Sequence, residues 1–241
     1  MSQHSSYEYN TGFEKIKRLF DFDQAKNLKI LDVACGDGRI SRELIKKGHQ
    51  VYGVDNDPKA IIAAGLNGLD CRQSDIEHSL PFEDGLFDVV LALDILEHLN
   101  DPKKFLMSLK LKLKANGQLI ISIPNHFDLR NRIRILAGEG IIHWAHKNFP
   151  NANSWHYPHI RFFRLVELAD LLAEVGLCIN AVQFNFMAGG VIPRRLTPPF
   201  VRIIMLKIWP TLLSGKFVLR CGLASNQEKI KIFLAKTPID F

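Results

Sequence analysis

Apolar positions in the first half of the chain fall into short continuous runs that alternate with helical patterns. The runs predict strands at Lys29–Val33, Gln50–Val54, Leu69–Gln73, Phe87–Leu93 and Gln118–Ile123. Between and after them, apolar residues at helical spacing predict helices at Arg39–Lys47, Pro58–Ala64 and Pro102–Leu113. Strands that alternate with helices indicate βαβ units with right-handed crossovers. The pattern therefore predicts an α/β domain built on a mainly parallel sheet.

The second half of the chain departs from this alternation in two places. Residues 125–162 are rich in His, Arg and Trp, and residues 187–227 are basic and apolar, with four prolines between Val191 and Pro210. Around them the pattern predicts a helix at Leu165–Val175 and strands at Leu177–Phe186 and Lys229–Lys236. Neither segment is long enough for an independent domain. We therefore expect one domain over 1–241, with a core at 28–124 and inserts at 125–162 and 187–227.

A strand that breaks into a turn of small residues stands near the start of the core. Ile30–Val33 runs into Ala34-Cys35-Gly36-Asp37-Gly38, and a helical pattern follows. Small residues let backbone N–H groups approach a ligand closely, with the helix N-terminus directed at it. About 20 residues on, the next strand ends at Asp55, whose carboxylate can accept hydrogen bonds from both ribose hydroxyls. These features predict a nucleoside-cofactor site.

The cysteine pattern and the N-terminal sequence allow predictions about the cellular compartment of the protein. The four cysteines lie far apart without a CxxC pair, which is typical of reduced thiols and favours a cytoplasmic protein. The first residues lack the apolar segment of a signal peptide, so none is expected. No run of about 18 uncharged apolar residues predicts a spanning helix.

Four motifs in chain order resemble those of class I S-adenosyl-L-methionine-dependent methyltransferases. They are Leu-Asp-Val-Ala-Cys-Gly-Asp-Gly at 31–38, Gly-Val-Asp-Asn at 53–56, Ser-Asp-Ile at 74–76, and Phe-Asp-Val-Val with Leu-Glu-His-Leu at 87–99. The resemblance is close over 13–124 and looser to 186. Ile-Pro-Asn at 123–125, an Arg-rich helix at 130–136 and His-Ile-Arg-Phe-Phe at 159–163 are similar to the MetW-like, methyltransferase type 11 branch. They are also similar to methyltransferases that accompany polysaccharide and lipid-glycan synthesis.

The resemblance implies a Rossmann-like sheet of seven strands in the order 3-2-1-4-5-7-6, with the last strand antiparallel and helices on both faces. It also implies S-adenosylmethionine as cofactor and S-adenosylhomocysteine as product. Asp32 would support the amino end of the methionine part. Asp55 would hold the ribose, with Asn56 beside the adenine. Asp75 would accept a hydrogen bond from the adenine amino group.

The remaining cofactor contacts implied by the resemblance come from small and apolar residues. Ala34, Cys35 and Gly36 would lie against the methionine part, Ile76 would flank the adenine, and Leu93 would face the methionine amine. Ala34 stands where this family usually has glycine. That departure affects the fine geometry of the turn and not the predicted binding.

The acceptor side of the site is less readable from sequence. Methyl transfer from a sulfonium needs position and exclusion of water, so no metal is required and none is predicted. His98 follows the fourth strand at the open edge of the sheet, where it would either take a proton from the acceptor or only shape the site. Asp94 would either orient a substrate or cap the turn. Arg161 would contact a substrate anion or lie at the surface between aromatic residues.

Five of the nine histidines lie in the 125–162 insert: His126, His143, His146, His156 and His159. The spacings His143-x-x-His146 and His156-x-x-His159 would suit a metal site, but no cysteine and few carboxylates accompany them. We therefore expect these histidines to line a polar substrate cleft.

Charge is uneven along the chain. Residues 1–124 carry 16 Lys or Arg and 18 Asp or Glu, whereas residues 125–241 carry 15 and 7. The excess of positive charge in residues 125–241 predicts either a contact with an anionic partner or a solubilising surface. Within 187–227, the stretch from Pro199 to Pro210 mixes large apolar residues with spaced cations. It predicts a peripheral membrane contact, a helix over the sheet edge or a homodimer contact.

Methyl transfer to a small or lipid/glycan-linked acceptor is the leading functional prediction. The alternative is a MetW-like, non-catalytic or regulatory partner of an acyltransferase in methionine biosynthesis. Nucleic-acid modification is disfavoured, because Leu-Ala-Leu-Asp-Ile-Leu at 91–96 replaces the Asp/Asn-Pro-Pro-Tyr/Phe motif of base methylation. A nicotinamide dehydrogenase is disfavoured because the third glycine of the G-x-G-x-x-G fingerprint is missing.

Overall fold

The fold is an α/β sandwich around one seven-stranded sheet. The computed structural model describes residues 13, 16–138, 158–186 and 198–224. The strands are β1 Lys29–Val33, β2 Gln50–Asp55, β3 Asp70–Gln73, β4 Phe87–Leu93, β5 Leu113–Pro124, β6 Leu177–Phe186 and β7 Ser214–Leu223. The helices are α1 Arg39–Lys46, α2 Pro58–Leu66, α3 Pro102–Lys112, α4 Leu129–Leu136, α5 Leu165–Glu174, α6 Pro199–Ile208 and α7 Pro210–Leu213, with a 3-10 turn at Leu96–His98.

The strand order is β3-β2-β1-β4-β5-β7-β6, which confirms the predicted topology. The pairs from β3 to β5 are parallel, and β7 is antiparallel to both of its neighbours. The chain leaves β1 toward β2 on one side and reaches β4 on the other side. Such a reversal opens a crevice beyond the carboxyl ends of the two central strands, β1 and β4. The candidate site lies at this edge.

Both faces of the sheet are covered, which explains the continuous apolar runs of its central strands. In β1, Ile30 packs into the cluster that contains Leu44 of α1, whereas Leu31 packs into the cluster on the other face. The same alternation assigns the residues of β4 to the two clusters, and Leu106 of α3 belongs to the larger one. The hydrophobic core therefore fixes the positions of the strand ends that carry the site.

Aspartate N-caps set the start of two helices that begin near the open edge. The Asp57 side chain accepts from the Lys59 N–H at the start of α2, and Asp101 accepts from the Lys104 N–H at the start of α3. Each cap is followed by a proline in the first turn, where a missing N–H costs nothing.

The structure corrects two strand positions. β7 occupies Ser214–Leu223, inside the segment 187–227 that was predicted as an insert, and the predicted strand Lys229–Lys236 lies outside the described residues. Lys216, Arg220 and two glycines interrupt the apolar pattern of β7, so the segment did not stand out as a strand. β5 begins at Leu113 instead of Gln118, because the chain pairs with β4 through an irregular register before Asn116-Gly117. No helix in the described ranges is long and apolar enough to cross a membrane.

Candidate functional site

The turn after β1 has left-handed backbone at alternate residues. The φ angles are 56° at Ala34, 55° at Gly36 and 72° at Gly38, the N-cap of α1. Glycine tolerates this conformation, whereas an alanine there costs roughly 1–2 kcal/mol. This agrees with the glycine that the family resemblance leads one to expect at position 34. A Cβ added at Gly36 would meet no heavy atom within 4 Å, so there is open space beside this turn.

Asp55, at the end of β2, fixes this turn from the neighbouring strand. Its Oδ2 accepts from the Gly36 N–H at 2.9 Å, and its Oδ1 accepts from the Asp57 N–H at 3.0 Å. The Cys35 N–H donates to the Val54 carbonyl at 3.2 Å. The residues predicted to bind the methionine part and the ribose are therefore brought together around one carboxylate.

Asp32 lies beneath the same turn and is buried. The Ser41 hydroxyl of α1 donates to its Oδ2 at 2.6 Å. Burial raises the pKa of Asp32 to about 6, and the charge of Asp55 adds to the rise, whereas the Ser41 hydrogen bond opposes it. A cationic group placed beside Asp32 would lower this pKa and favour the carboxylate. The site thus offers a buried anionic position to an amine.

The residues predicted to surround an adenine follow β2 and β3, which are the first and second strands beside β1. Asn56 is exposed after β2, and the Ser74 N–H donates to the Asp55 carbonyl at 2.9 Å, which attaches the turn after β3. Asp75 is exposed there; its oxygens accept from the Glu77 N–H and contact His78 Nδ1 at 2.9 Å. The Glu77 N–H, followed by His78, lowers the pKa of Asp75. These residues therefore lie exposed just beyond the carboxyl ends of β2 and β3.

Three of the predicted cofactor residues are also packed into the hydrophobic core. Ile76 contacts the larger cluster, Leu93 contacts the cluster on the opposite face, and the Cys35 side chain packs in that second cluster.

A cluster of one buried carboxyl group and three histidines stands beyond β4. The Nε2 atoms of His98 and His159 each lie 3.9 Å from Oε1 of Glu97, which is 1% exposed. His159 Nδ1 lies 2.9 Å from His126 Nε2. Burial, followed by the charge of Asp94, raises the pKa of Glu97 to about 8. This cluster unites the fourth-strand motif with the histidine-rich insert.

Backbone hydrogen bonds fasten the insert to this cluster. The N–H groups of Ile160 and Arg161 donate to the Glu97 carbonyl, and His98 Nδ1 lies 3.1 Å from the Pro158 carbonyl. Because a carbonyl only accepts, His98 carries its proton on Nδ1, which leaves the Nε2 lone pair available in the neutral ring. The Arg161 guanidinium donates to the Asn100 carbonyl at 2.6 Å.

Glu97 and the pairing of His126 with His159 were missed from sequence. Glu97 was visible only as part of the Leu-Glu-His-Leu motif, and His159 is about 60 residues away along the chain, so no local spacing could reveal their contact. Among the described residues, Glu97, His98 and His159 are the group whose donor atoms, all within 4.8 Å, would suit a metal ion. His143, His146 and His156 lie outside the described residues.

Asp94 links three strand ends beside the cluster. Its φ of 53° is left-handed, its Oδ1 accepts from the Ser122 hydroxyl at 2.9 Å, and its Oδ2 is paired with Lys216 of β7. These bonds attach the turn between β4 and Glu97 to β5 and β7.

Comparisons with known proteins agree with this geometry. A family model described as "Methyltransferase domain" matches residues 4–182. The chain is 31% identical over 173 residues to a ubiquinone biosynthesis O-methyltransferase of Idiomarina loihiensis, covering 69% of this chain and 70% of that protein. A ubiquinone biosynthesis O-methyltransferase of Rickettsia canadensis is 30% identical over 168 residues, with 67% of each chain covered.

The chain belongs to the methyltransferase-domain family. A SAM-dependent methyltransferase from Archaeoglobus fulgidus has the same fold, with a TM-score of 0.60, 16% identity and coverage of 91% of this chain and 99% of that one. The protein is thus a class I methyltransferase that uses S-adenosylmethionine. The open space at Gly36, the fixed Asp55 carboxylate and the buried Asp32 are compatible with that cofactor.

Asp32 gives this methyltransferase a pH-dependent stability. Its folded pKa of about 6 exceeds that of an unfolded aspartate, about 3.9, so the folded state binds more protons between those values. The contribution of Asp32 to the free energy of unfolding should therefore fall as the pH rises from about 4 to about 6 and stay level above. Asp32→Asn should remove this fall and leave the variant about 2–3 kcal/mol more stable at neutral pH.

Chemical denaturation at a series of pH values tests this expectation. Asp70→Asn, at an exposed aspartate that begins β3, is the matched control and should follow the wild type. Parallel pH profiles for Asp32→Asn and the wild type would show that Asp32 does not ionise with a raised pKa.

Proposed function

We propose that this methyltransferase transfers a methyl group to a hydroxyl on a small or lipid/glycan-linked acceptor. One observation supports cofactor binding: the Asp55 carboxylate accepts a hydrogen bond from the Gly36 N–H, and there is open space beside this turn. The O-methyltransferase relatives support oxygen as the acceptor atom. Asp55 then binds the ribose, with Asn56 and Asp75 toward the adenine, and Asp32 faces the amine of the methionine part.

The cofactor supplies an activated methyl group, and its sulfur keeps the electron pair of the broken bond. The turn Ala34–Gly36 contributes backbone groups that position the methionine part. Ile76 flanks the adenine, and Leu93 lies at the end of β4 beside the amine. These contacts supply orientation, which is the main requirement of an in-line displacement.

His98 takes the proton of the acceptor hydroxyl in this proposal. Its Nδ1–H is directed at the Pro158 carbonyl, so the lone pair that can take a proton is on Nε2. The acceptor oxygen forms its bond to the methyl group, and the hydroxyl proton passes to Nε2. Glu97 and His159 lie beside His98 Nε2 and fix its position.

Calorimetric titration and isotope transfer test the function. We expect saturable binding of S-adenosylmethionine and of S-adenosylhomocysteine, followed by transfer of a radiolabelled methyl group into an extract from cells lacking the protein. Separation of the extract into organic and aqueous phases assigns the acceptor to lipid-linked or water-soluble molecules. Absence of both binding and transfer would overturn the proposal. Binding without transfer, together with capture of an acyltransferase, would favour the regulatory MetW-like role.

The exposed face of α6 supports a peripheral membrane contact. Phe200, Ile204 and Ile208 recur every fourth residue and are 63%, 51% and 57% exposed. This spacing places them on one side of the helix, and basic residues belong to the same helix. An apolar stripe with cations is typical of helices that lie in a membrane interface. A membrane-bound acceptor would then meet the enzyme at the lipid surface.

Vesicle co-sedimentation tests this contact. The wild type should sediment with vesicles that contain anionic lipid, and Phe200→Asp with Ile204→Asp should abolish sedimentation because charge opposes insertion. Ile62→Asp, at a 67% exposed isoleucine of α2, is the control and should sediment like the wild type. Equal sedimentation of both variants, or concentration-dependent dimerisation lost only in the α6 variant, would contradict a membrane role.

A further inference from the structure

Two thiols from different elements meet beside the cofactor turn. Cys35 belongs to the turn after β1 and Cys71 to β3, and their sulfur atoms are 3.3 Å apart. The described cysteines are free, and both of these are half-buried. Thiols are weak hydrogen-bonding groups, so hydrogen bonding alone gives little reason for this contact. The proximity makes the pair a candidate for covalent chemistry.

Gly53 of β2 provides the space in which the thiols meet. It is paired with Cys71 in the β2–β3 ladder, whereas Cys35 reaches over β2 from the opposite side. A Cβ at Gly53 would lie 2.9 Å from the Cys35 sulfur and 3.2 Å from the Cys71 sulfur. Any side chain there would push the sulfurs aside. The contact between the thiols therefore depends on the missing side chain between them.

We propose that Cys35 and Cys71 form a redox modification site that closes to an intramolecular disulfide. A disulfide bond is about 2.05 Å long, so the sulfurs need to approach by little more than 1 Å. The oxidant is a low-molecular-weight disulfide such as oxidised glutathione. One cysteine thiolate attacks it and releases one thiol; the second cysteine then displaces the other. Two electrons and two protons leave the protein and reside in the two released thiols.

The Cys35–Cys71 disulfide would change the shape of the cofactor site. This consequence rests on the proposed function. Cys35 lies between Ala34 and Gly36, whose N–H is held by Asp55. Drawing Cys35 toward β3 moves the backbone that would contact the methionine part. We expect the affinity for S-adenosylhomocysteine to fall about tenfold, within the range typical of coupled sites. By the same coupling, a saturating cofactor should disfavour disulfide formation to an equal degree.

Peptide mapping and calorimetry on the full chain test the site. Burial raises the pKa of both thiols, so the reduced protein is treated with oxidised glutathione at alkaline pH. A cross-linked peptide pair containing Cys35 and Cys71 is expected, with a roughly tenfold loss of affinity that a reductant reverses. In Cys71→Ser the link cannot form and affinity should not respond to the oxidant. Cys178→Ser, at another half-buried thiol, is the control and should behave like the wild type.

Other results would overturn the proposal. Thiols at 35 and 71 that stay reduced, or that each carry a separate glutathione, would show that the pair does not close. A mapped Cys35–Cys71 bond with unchanged affinity would remove its effect on the cofactor. Failure of the reduced protein to bind cofactor would instead refute the proposed function, while the peptide map would still decide whether the disulfide forms.

Discussion

Asp55→Asn is expected to lower the affinity for S-adenosylmethionine by about 100-fold, equivalent to about 2.7 kcal/mol. In the proposed complex the carboxylate accepts hydrogen bonds from the ribose, and hydrogen bonds to a charged group contribute about 1.5–3 kcal/mol each. The carboxylate also accepts from the Gly36 and Asp57 N–H groups, one on each oxygen. An asparagine must turn its NH₂ group toward one of these donors. The substitution therefore weakens the ribose contact and disturbs the turn together.

Calorimetric titration with S-adenosylhomocysteine measures this loss. Asp57→Asn is the matched control, since it makes the same change two residues away at an exposed N-cap where asparagine is equally suited. The control should bind like the wild type. Thermal unfolding of all three proteins separates loss of the ligand contact from loss of the fold. Binding by Asp55→Asn within about threefold of the wild type, less than 1 kcal/mol, would remove Asp55 from the ribose site.

His98→Ala should reduce the rate of methyl transfer by about 100-fold or more while leaving cofactor affinity unchanged. General base catalysis contributes about 10²–10⁴-fold to a rate, and the alanine variant has no proton acceptor at this position. His98 stands beyond β4 on the acceptor side, away from the Asp55 turn. The defect should therefore appear in turnover and not in calorimetric binding.

His98→Gln distinguishes catalysis from shape. A glutamine can fill much of the space and donate to the Pro158 carbonyl, but its amide does not accept a proton at neutral pH. Glutamine should thus be as inactive as alanine in the isotope-transfer measurement, and added imidazole should partly restore His98→Ala. Recovery of activity in His98→Gln would instead assign His98 a role in shaping the crevice.

The amino-terminal half of the fold was predictable because its information is local. The buried strands β1, β2 and β4 are apolar on both faces, and the turn with Gly36 and Gly38 interrupts the pattern where the structure needs left-handed backbone. These signals extend over a few residues each. Their order along the chain predicted a mainly parallel sheet with Asp55 near the turn, whereas the strand order itself was implied by the family resemblance.

The rest depended on contacts between distant parts of the chain. β7 is held by β5 and β6 on either side, so the pairing compensates for the lysine, arginine and glycines in its sequence. The approach of Cys71 to Cys35 likewise follows from strand order and not from spacing, and His159 reaches Glu97 because the segment around it is hydrogen-bonded to the Glu97 carbonyl. A single sequence carries no signal for such pairs, although both residues of each pair are chemically conspicuous.

The alanine at position 34 has an entropic consequence for ligand binding. Alanine explores fewer backbone states than glycine, so the turn after β1 has less freedom before any ligand arrives. Ordering such a segment on complex formation costs less entropy than ordering a glycine turn. The protein thus bears backbone strain permanently in its ligand-free state, and in return offers the incoming molecule a receptor that is already shaped.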